Sequence, residues 1–247
     1  IPCVDGIDAR TLSDLIQKKW PGNRRFKISE KPPMHGDLYL LEKLGMVKEI
    51  TAGSGFNGTI LLGGELESMR TRLKFILNGK DVGIENGTVW FLTRQCPLSE
   101  KRENLTTLTT ESCLPFRSGW QPPKEMPASE TEIAKAIWDQ SVIPHGMHAE
   151  FVDTPLQRDR NGRRIATTTE VVQEFIRRQS NQDQGLWLVV SSQPRIALHH
   201  VNALKAADLE NVSAGYTFIE AGPAADPQLS LATYLNQVAL LLCESLQ

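Results

Sequence analysis

Three polar clusters lie where apolar runs end, and each has the residue types to hold a ligand. Gly63-Gly64 follows Thr59-Ile60-Leu61-Leu62, Thr93-Arg94 follows Thr88-Val89-Trp90-Phe91-Leu92, and Ser191-Ser192-Gln193-Pro194-Arg195 follows residues 186–190. Glycines before a helix let backbone N–H groups approach an anion, and serines in that place suit an anion or a carbonyl. Arg70 and Arg72 stand downstream of the glycine pair, and one could reach back to it, whereas Glu65 directly after the pair opposes a phosphate. Glu130, Glu132 and Glu170 fall near predicted helix starts, where a carboxylate steadies the helix dipole and could also act as acid or base. His199 and His200 ride the helix after Ser191. Adjacent helical residues point about 100° apart, so at most one of them faces a pocket. His199, two positions after Ala197, is the one to point away from the predicted apolar stripe.

Other patterns carry less chemistry. Residues 53–58 spell G-x-G-x-x-G, but a dinucleotide fingerprint needs a strand before it and a helix after it. Here a strand comes after it, so Asn57-Gly58 reads as a turn. His145 and His148 lack further ligands, and no metal is expected there. No G-x-S-x-G elbow marks a hydrolase serine, and no motif names a cofactor. The four cysteines (Cys3, Cys96, Cys113 and Cys243) include no C-x-x-C; Cys96 and Cys113 either close the polar stretch between them or stay as thiols.

The elements that must position these groups follow from periodicity. The short runs at 59–62 and 88–92 are continuous and apolar, the pattern of strands buried on both faces. Residues 149–153, 186–190 and 216–219 are further strands. Between them Leu66, Met69, Leu73 and Ile76 have helical spacing, as do Ile133 and Ile137, Val171, Val172, Phe175 and Ile176, then Ala197, Val201 and Leu204, and finally Leu231, Leu235, Val238 and Leu242. Ser129 with Glu132 forms a capping box. Strand–helix alternation predicts an α/β three-layer Rossmann-like fold, with a mostly parallel sheet and helices on both faces. Residues 1–50 form an N-terminal helical extension on that core, with one helix capped by Asp8 and another begun by Asp37 and stopped at Gly45. Residues 51–247 form the α/β domain, and its polar stretch at 95–127 is a long surface excursion. Ligands of such sheets bind outside the strand C-termini, which is why the three clusters matter.

Bulk properties narrow the partners. The 247 residues are 40% hydrophobic and 23% charged, enough for a sizeable core, and the net charge of −2 gives no electrostatic reason to expect nucleic acid. No apolar run approaches the roughly 20 residues of a membrane span. The chain starts at Ile1, which either a removed leader or a trimmed end would produce. Sequons at Asn57, Asn86, Asn104 and Asn211 fit secretion only weakly.

Taken in order, Leu62-Gly63-Gly64 with Arg70 downstream, Thr93-Arg94, Glu130, Thr169-Glu170 and Ser191-Ser192 with His199 distantly resemble the SanA- and YdcF-like family of bacterial α/β proteins. The resemblance spans about residues 59–206. Thr93-Arg94 stands where that family has Ser-Gly, Val171 where it has Asn, and Pro194-Arg195 where it has histidine. It implies a Rossmann-like fold, an envelope association and one pocket lined by Gly63, Gly64, Arg70, Glu130, Glu170 and Ser191. A periplasmic or secreted place is then expected ahead of a cytoplasmic one. The expected function is binding of a small anionic or nucleotide-type ligand, held by Arg70, Arg195 and the other strand-end groups, with Glu130 or Glu170 as acid or base of a transferase or hydrolase. The alternative is a non-catalytic secreted or envelope protein that keeps the fold and acts through protein partners.

Overall fold

Five strands lie side by side in parallel, in the order β3-β2-β1-β6-β7. The computed structural model describes residues 31–79, 87–96, 98, 102–159, 162–179 and 184–245. The strands are β1 (Gly58–Leu62), β2 (Thr88–Arg94), β3 (His148–Thr154), β6 (Gly185–Val190) and β7 (Tyr216–Ala221), and a separate antiparallel pair joins β4 (Gln157–Asp159) to β5 (Gly162–Arg164). The described helices are α1 (His35–Lys43), α2 (Leu66–Asn78), α3 (Leu105–Thr109), α4 (Glu130–Gln140), α5 (Thr168–Arg178), α6 (Ile196–Leu209) and α7 (Leu231–Ser245). This is the Rossmann-like α/β layering that strand–helix alternation predicts, because parallel neighbours require a crossover for each pairing.

The central strand explains its own composition. All five residues of β1 are buried, because it pairs with β2 on one side and β6 on the other while helices cover both faces. Alternation then divides the core. Leu61 packs with Val89 and Phe91 of β2, with Leu66, Met69 and Leu73 of α2 and with Ile133 and Ile137 of α4. Ile60 and Leu62 pack on the opposite face with Val172 and Phe175 of α5 and Ala203 and Ala206 of α6. Each such leucine or isoleucine contributes roughly 1.5–3 kcal/mol by leaving water.

The structure revises several sequence expectations. The stretch at 95–127 is mostly on the surface, but it contains α3 and sends fully buried Leu108 and largely buried Leu114 into the core under α2 and α4. The buried stripe of α6 is Ile196, His199, Ala203, Ala206 and Ala207, whereas Leu204 is exposed. That helix is apolar on more than one side, so periodicity could not choose the face; α6 packs closely on α5, and alanines allow the approach. His199 is therefore inside, opposite to expectation. On α7 the most buried side chains are Tyr234, Gln237 and Ala239 rather than the predicted leucines. The glycine string at 53–58 lies at the N-terminal end of β1, where Asn57 pairs with Leu186 at the start of β6, far along the strands from their C-terminal ends.

In the N-terminal extension, α1 follows Met34, whose N–H donates to Asp37 at 3.0 Å, and Gly45 closes the helix with φ +69. Leu41 and Met46 pack on Tyr234, and Ile50 bridges to Gly222 after β7. The helix expected after Asp8, Cys3 and the Asn86 sequon lie outside the described residues.

Candidate functional site at the strand ends

Chain order places the crevice. From β1 the chain moves outward through β2 to β3, then returns to β6 on the other side of β1. The direction of winding reverses between β1 and β6, and the C-terminal ends of those two strands flank the position where such sheets bind ligands. Gly63-Gly64 and Ser191-Ser192 are those ends.

Arg72 joins them. Its Nη1 donates to Leu62 O at 2.6 Å and to Gly63 O at 2.7 Å, and its Nε donates to Ser192 Oγ at 2.9 Å. The side chain is almost wholly buried. Burial, then the positive charge of Arg195, pull its pKa down to about 9, with Glu130 opposing, so it remains a cation at neutral pH. Its Nη2 makes no hydrogen bond among the described residues.

Arg70, expected in this pocket, is elsewhere. Two residues apart on a helix is about 200°, so two buried arginines at that spacing must point to opposite sides. Arg70 faces the 95–127 segment: Nη1 donates to Thr107 O and Thr110 O at 3.0 and 3.2 Å, and Nη2 donates to Leu108 O at 2.6 Å. Nη1 also pairs with Glu67 at 2.7 Å. It holds the segment rather than a ligand.

Glu170 is also removed from the crevice chemistry. Arg164 grips both its oxygens, at 2.6 and 2.7 Å, and Thr167 N donates to it at 2.8 Å in a capping box. The Arg164 bonds are the main reason its pKa falls to about 2, so it is an ionised structural carboxylate at neutral pH and not a proton donor or acceptor. A depressed folded-state pKa means stability that is present above the ordinary value of 4.5 and lost as pH falls through about 2. Thermal melts from pH 5 to pH 2 should therefore show a falling Tm, and Glu170→Gln should flatten part of that fall.

Glu130 has the opposite character. It opens α4 and is 4% exposed, and burial raises its pKa. Its Oε2 accepts from the Cys96 thiol at 3.1 Å, while Oε1 is buried with no partner. A Cβ on Gly63 would run into that Oε1 and lie 2.7 Å from Leu92 O, so only glycine leaves room for the carboxyl. Burial, then the hydrogen bond to Glu130, push the Cys96 thiol up to about 12, which makes it a poor nucleophile. Cys96 and Cys113 are both free.

The remaining groups divide between support and recognition. Thr93 is fully buried and shares its hydroxyl with Thr131 at 2.7 Å and Val152 O at 3.0 Å, tying β2 to β3 and α4. Ser191 is fully buried and bonded to His199 Nδ1. Burial first, then Arg72, Arg195 and Arg94, lower the His199 pKa well below 6.5, so the imidazole is neutral at pH 7. Arg94 reaches Thr168 Oγ1 at a long 3.4 Å, and its Nε is buried without a partner. Arg195 is exposed, and its side chain has no ion pair or hydrogen bond among the described residues.

Of the donors that the sequence suggests are open, Gly63 N and the first N–H of α2 are already engaged. Gly63 N donates to Leu92 O at 2.7 Å, and Leu66 N at the start of α2 donates to Glu103 Oε1 at 3.3 Å. Glu103 comes from the 95–127 segment and is nearly buried; nothing in the sequence around it marks it. Arg72 is visible in the sequence only as one of two arginines, since spacing cannot say which side faces the crevice. Among the described residues no three or more His, Cys, Asp or Glu gather as a metal site, and no helix is long and apolar enough to cross a membrane. Compared with family models, curated proteins and solved structures, the chain finds no match in any of the three.

Proposed function

We propose that this protein binds a small anionic ligand, of phosphate-ester or nucleotide type, in the crevice between the ends of β1 and β6. One observation carries the reading: Arg72, Arg94 and Arg195 stand at the ends of β1, β2 and β6, the Arg94 Nε is buried without a partner, and none of the three forms an ion pair among the described residues. Three cations held near one another are mutually unfavourable, and an anion between them relieves that repulsion. The ordered resemblance to SanA- and YdcF-like proteins implies a ligand at the same strand ends, but Arg70 and Glu170, two of the six residues it implies, are engaged elsewhere.

Binding is favoured over nucleophilic catalysis. Ser191 is buried against His199, Cys96 holds its proton and Glu170 is locked in its ion pair. If the ligand reacts by transfer or hydrolysis, Glu130 is the group suited to give a proton, because burial keeps its carboxyl protonated to higher pH than an ordinary glutamate.

Isothermal titration with ATP, ADP, a sugar phosphate and pyrophosphate tests the reading. Arg195→Ala should weaken the best ligand by about 10- to 100-fold, the worth of one charge-assisted hydrogen bond, with an unchanged Tm because the side chain is exposed and unpaired. Equal affinity in both proteins, or no heat from any anion, would sink the proposal.

A further inference from the structure

The start of α2 is already occupied by an anion of the chain's own making. Leu66 N, the first N–H of the helix, donates to the Glu103 carboxylate across 37 residues of sequence, and neighbouring Arg102 pairs with Glu65 at 2.6 Å. Glu103 is 7% exposed. A buried carboxylate at a helix N-terminus sits where a phosphate would otherwise bind, since both seek the same donors and the same end of the dipole. Beside it, the unpartnered Oε1 of Glu130 lies against Gly63, so the floor of the crevice at this end carries two carboxyl groups. The cations lie alongside: Arg72 donates to Gly63 O, Arg94 ends β2 and Arg195 precedes α6.

We propose that Glu103 is the specificity-determining residue of this site, holding the anion position at the start of α2 so that a ligand's charged group is received by Arg72, Arg94 and Arg195 and free inorganic phosphate is kept off the helix. This rests on the anion-binding reading. It also commits the ligand to a shape: an anion bearing an organic portion, with the charge at the three arginines and the uncharged portion toward the start of α2 and Glu130. A protonated Glu130 there can donate a hydrogen bond to a hydroxyl or carbonyl of that portion.

Titration of the whole chain with inorganic phosphate at low salt separates the possibilities. Glu103→Gln keeps an oxygen to accept from Leu66 N but removes the charge, so the helix stays capped. It should bind phosphate at least about 10-fold more tightly than wild type, given the strength of a unit charge at close range. Glu103→Ala, which also frees Leu66 N, should gain at least as much. Glu244→Gln on α7 makes the same change of net charge and should gain nothing. If both Glu103 variants bind phosphate no better than wild type, Glu103 is only a helix cap and the proposal is overturned. The anion site itself would still stand if nucleotide binding remained sensitive to Arg195→Ala. If neither wild type nor any variant binds phosphate or nucleotide, both readings fall.

Discussion

Replacing Arg70 with methionine should lower stability by about 3–5 kcal/mol while leaving ligand affinity of the folded protein close to wild type. The side chain is 1% exposed and donates to three backbone carbonyls of the 105–110 region. Gln140, with its amide oxygen turned toward the guanidinium, accepts from Arg70 Nη2 and Nε at 3.0 Å and donates to Leu108 O at 3.3 Å. The guanidinium also lies 5.7 Å from the centre of the Phe116 ring. Methionine fills much of the volume but supplies no donor, so several buried acceptors are left unpaired at about 1–3 kcal/mol each. The urea midpoint should fall accordingly. The site of the damage is also specified: limited proteolysis under native conditions should cut first within 95–127, because that segment is held by the arginine. A loss of less than 1 kcal/mol would show that the segment packs without it.

Arg72→Met should be about as destabilising, again about 3–5 kcal/mol, but with a different second effect. Its bonds tie the end of β1, through Leu62 O and Gly63 O, to Ser192 after β6. Removing it leaves two buried carbonyls unpaired and unpins the two walls of the crevice. Anion affinity should fall by 100-fold or more, and His199, relieved of the charge that acts on it most strongly, should titrate closer to its ordinary value of 6.5. NMR titration of the histidine ring reads that shift directly. Arg72→Lys is the companion variant. A lysine can still reach a carbonyl but lacks the planar fork that engages both strand ends, so it should recover part of the stability and little of the affinity. If Arg72→Met folds with wild-type affinity, the crevice between β1 and β6 is not the binding site. Arg70→Met and Arg72→Met thus form a pair: equal in cost to the fold, and opposed in consequence for the ligand.

The same pair shows where sequence reasoning reached its limit. Burial of β1 and β2 was legible because Thr59-Ile60-Leu61-Leu62 and residues 88–92 are apolar without interruption, and only strands covered on both faces read that way. The glycine string at 53–58 was legible as something other than a dinucleotide loop because a strand, not a helix, comes after it. Local pattern also placed Glu170 near a helix start, although it did not show that Arg164 would grip the glutamate and take it out of service. The face of α6 was not legible, because Ile196, Leu198, Val201 and Leu204 surround the helix and the alanines that it buries are the weakest signals of burial.

By itself, then, the chain's pattern of apolar runs determined the parallel α/β sheet and the three strand ends, because period and run length are local properties that hydrophobic burial reads in any context. Which polar groups meet at those ends was decided only by the tertiary structure. Whether Arg70 or Arg72 faces the crevice depends on which side of α2 the 95–127 segment covers. Whether the helix start is open depends on Glu103, 37 residues away from Leu66. Whether a glutamate is an acid or a salt bridge depends on burial and on the nearest arginine: Glu130, buried with one oxygen unpartnered, is pushed up, while Glu170, held by Arg164, is pulled down to about 2. These are properties of distance between residues remote in sequence, and no local pattern encodes them.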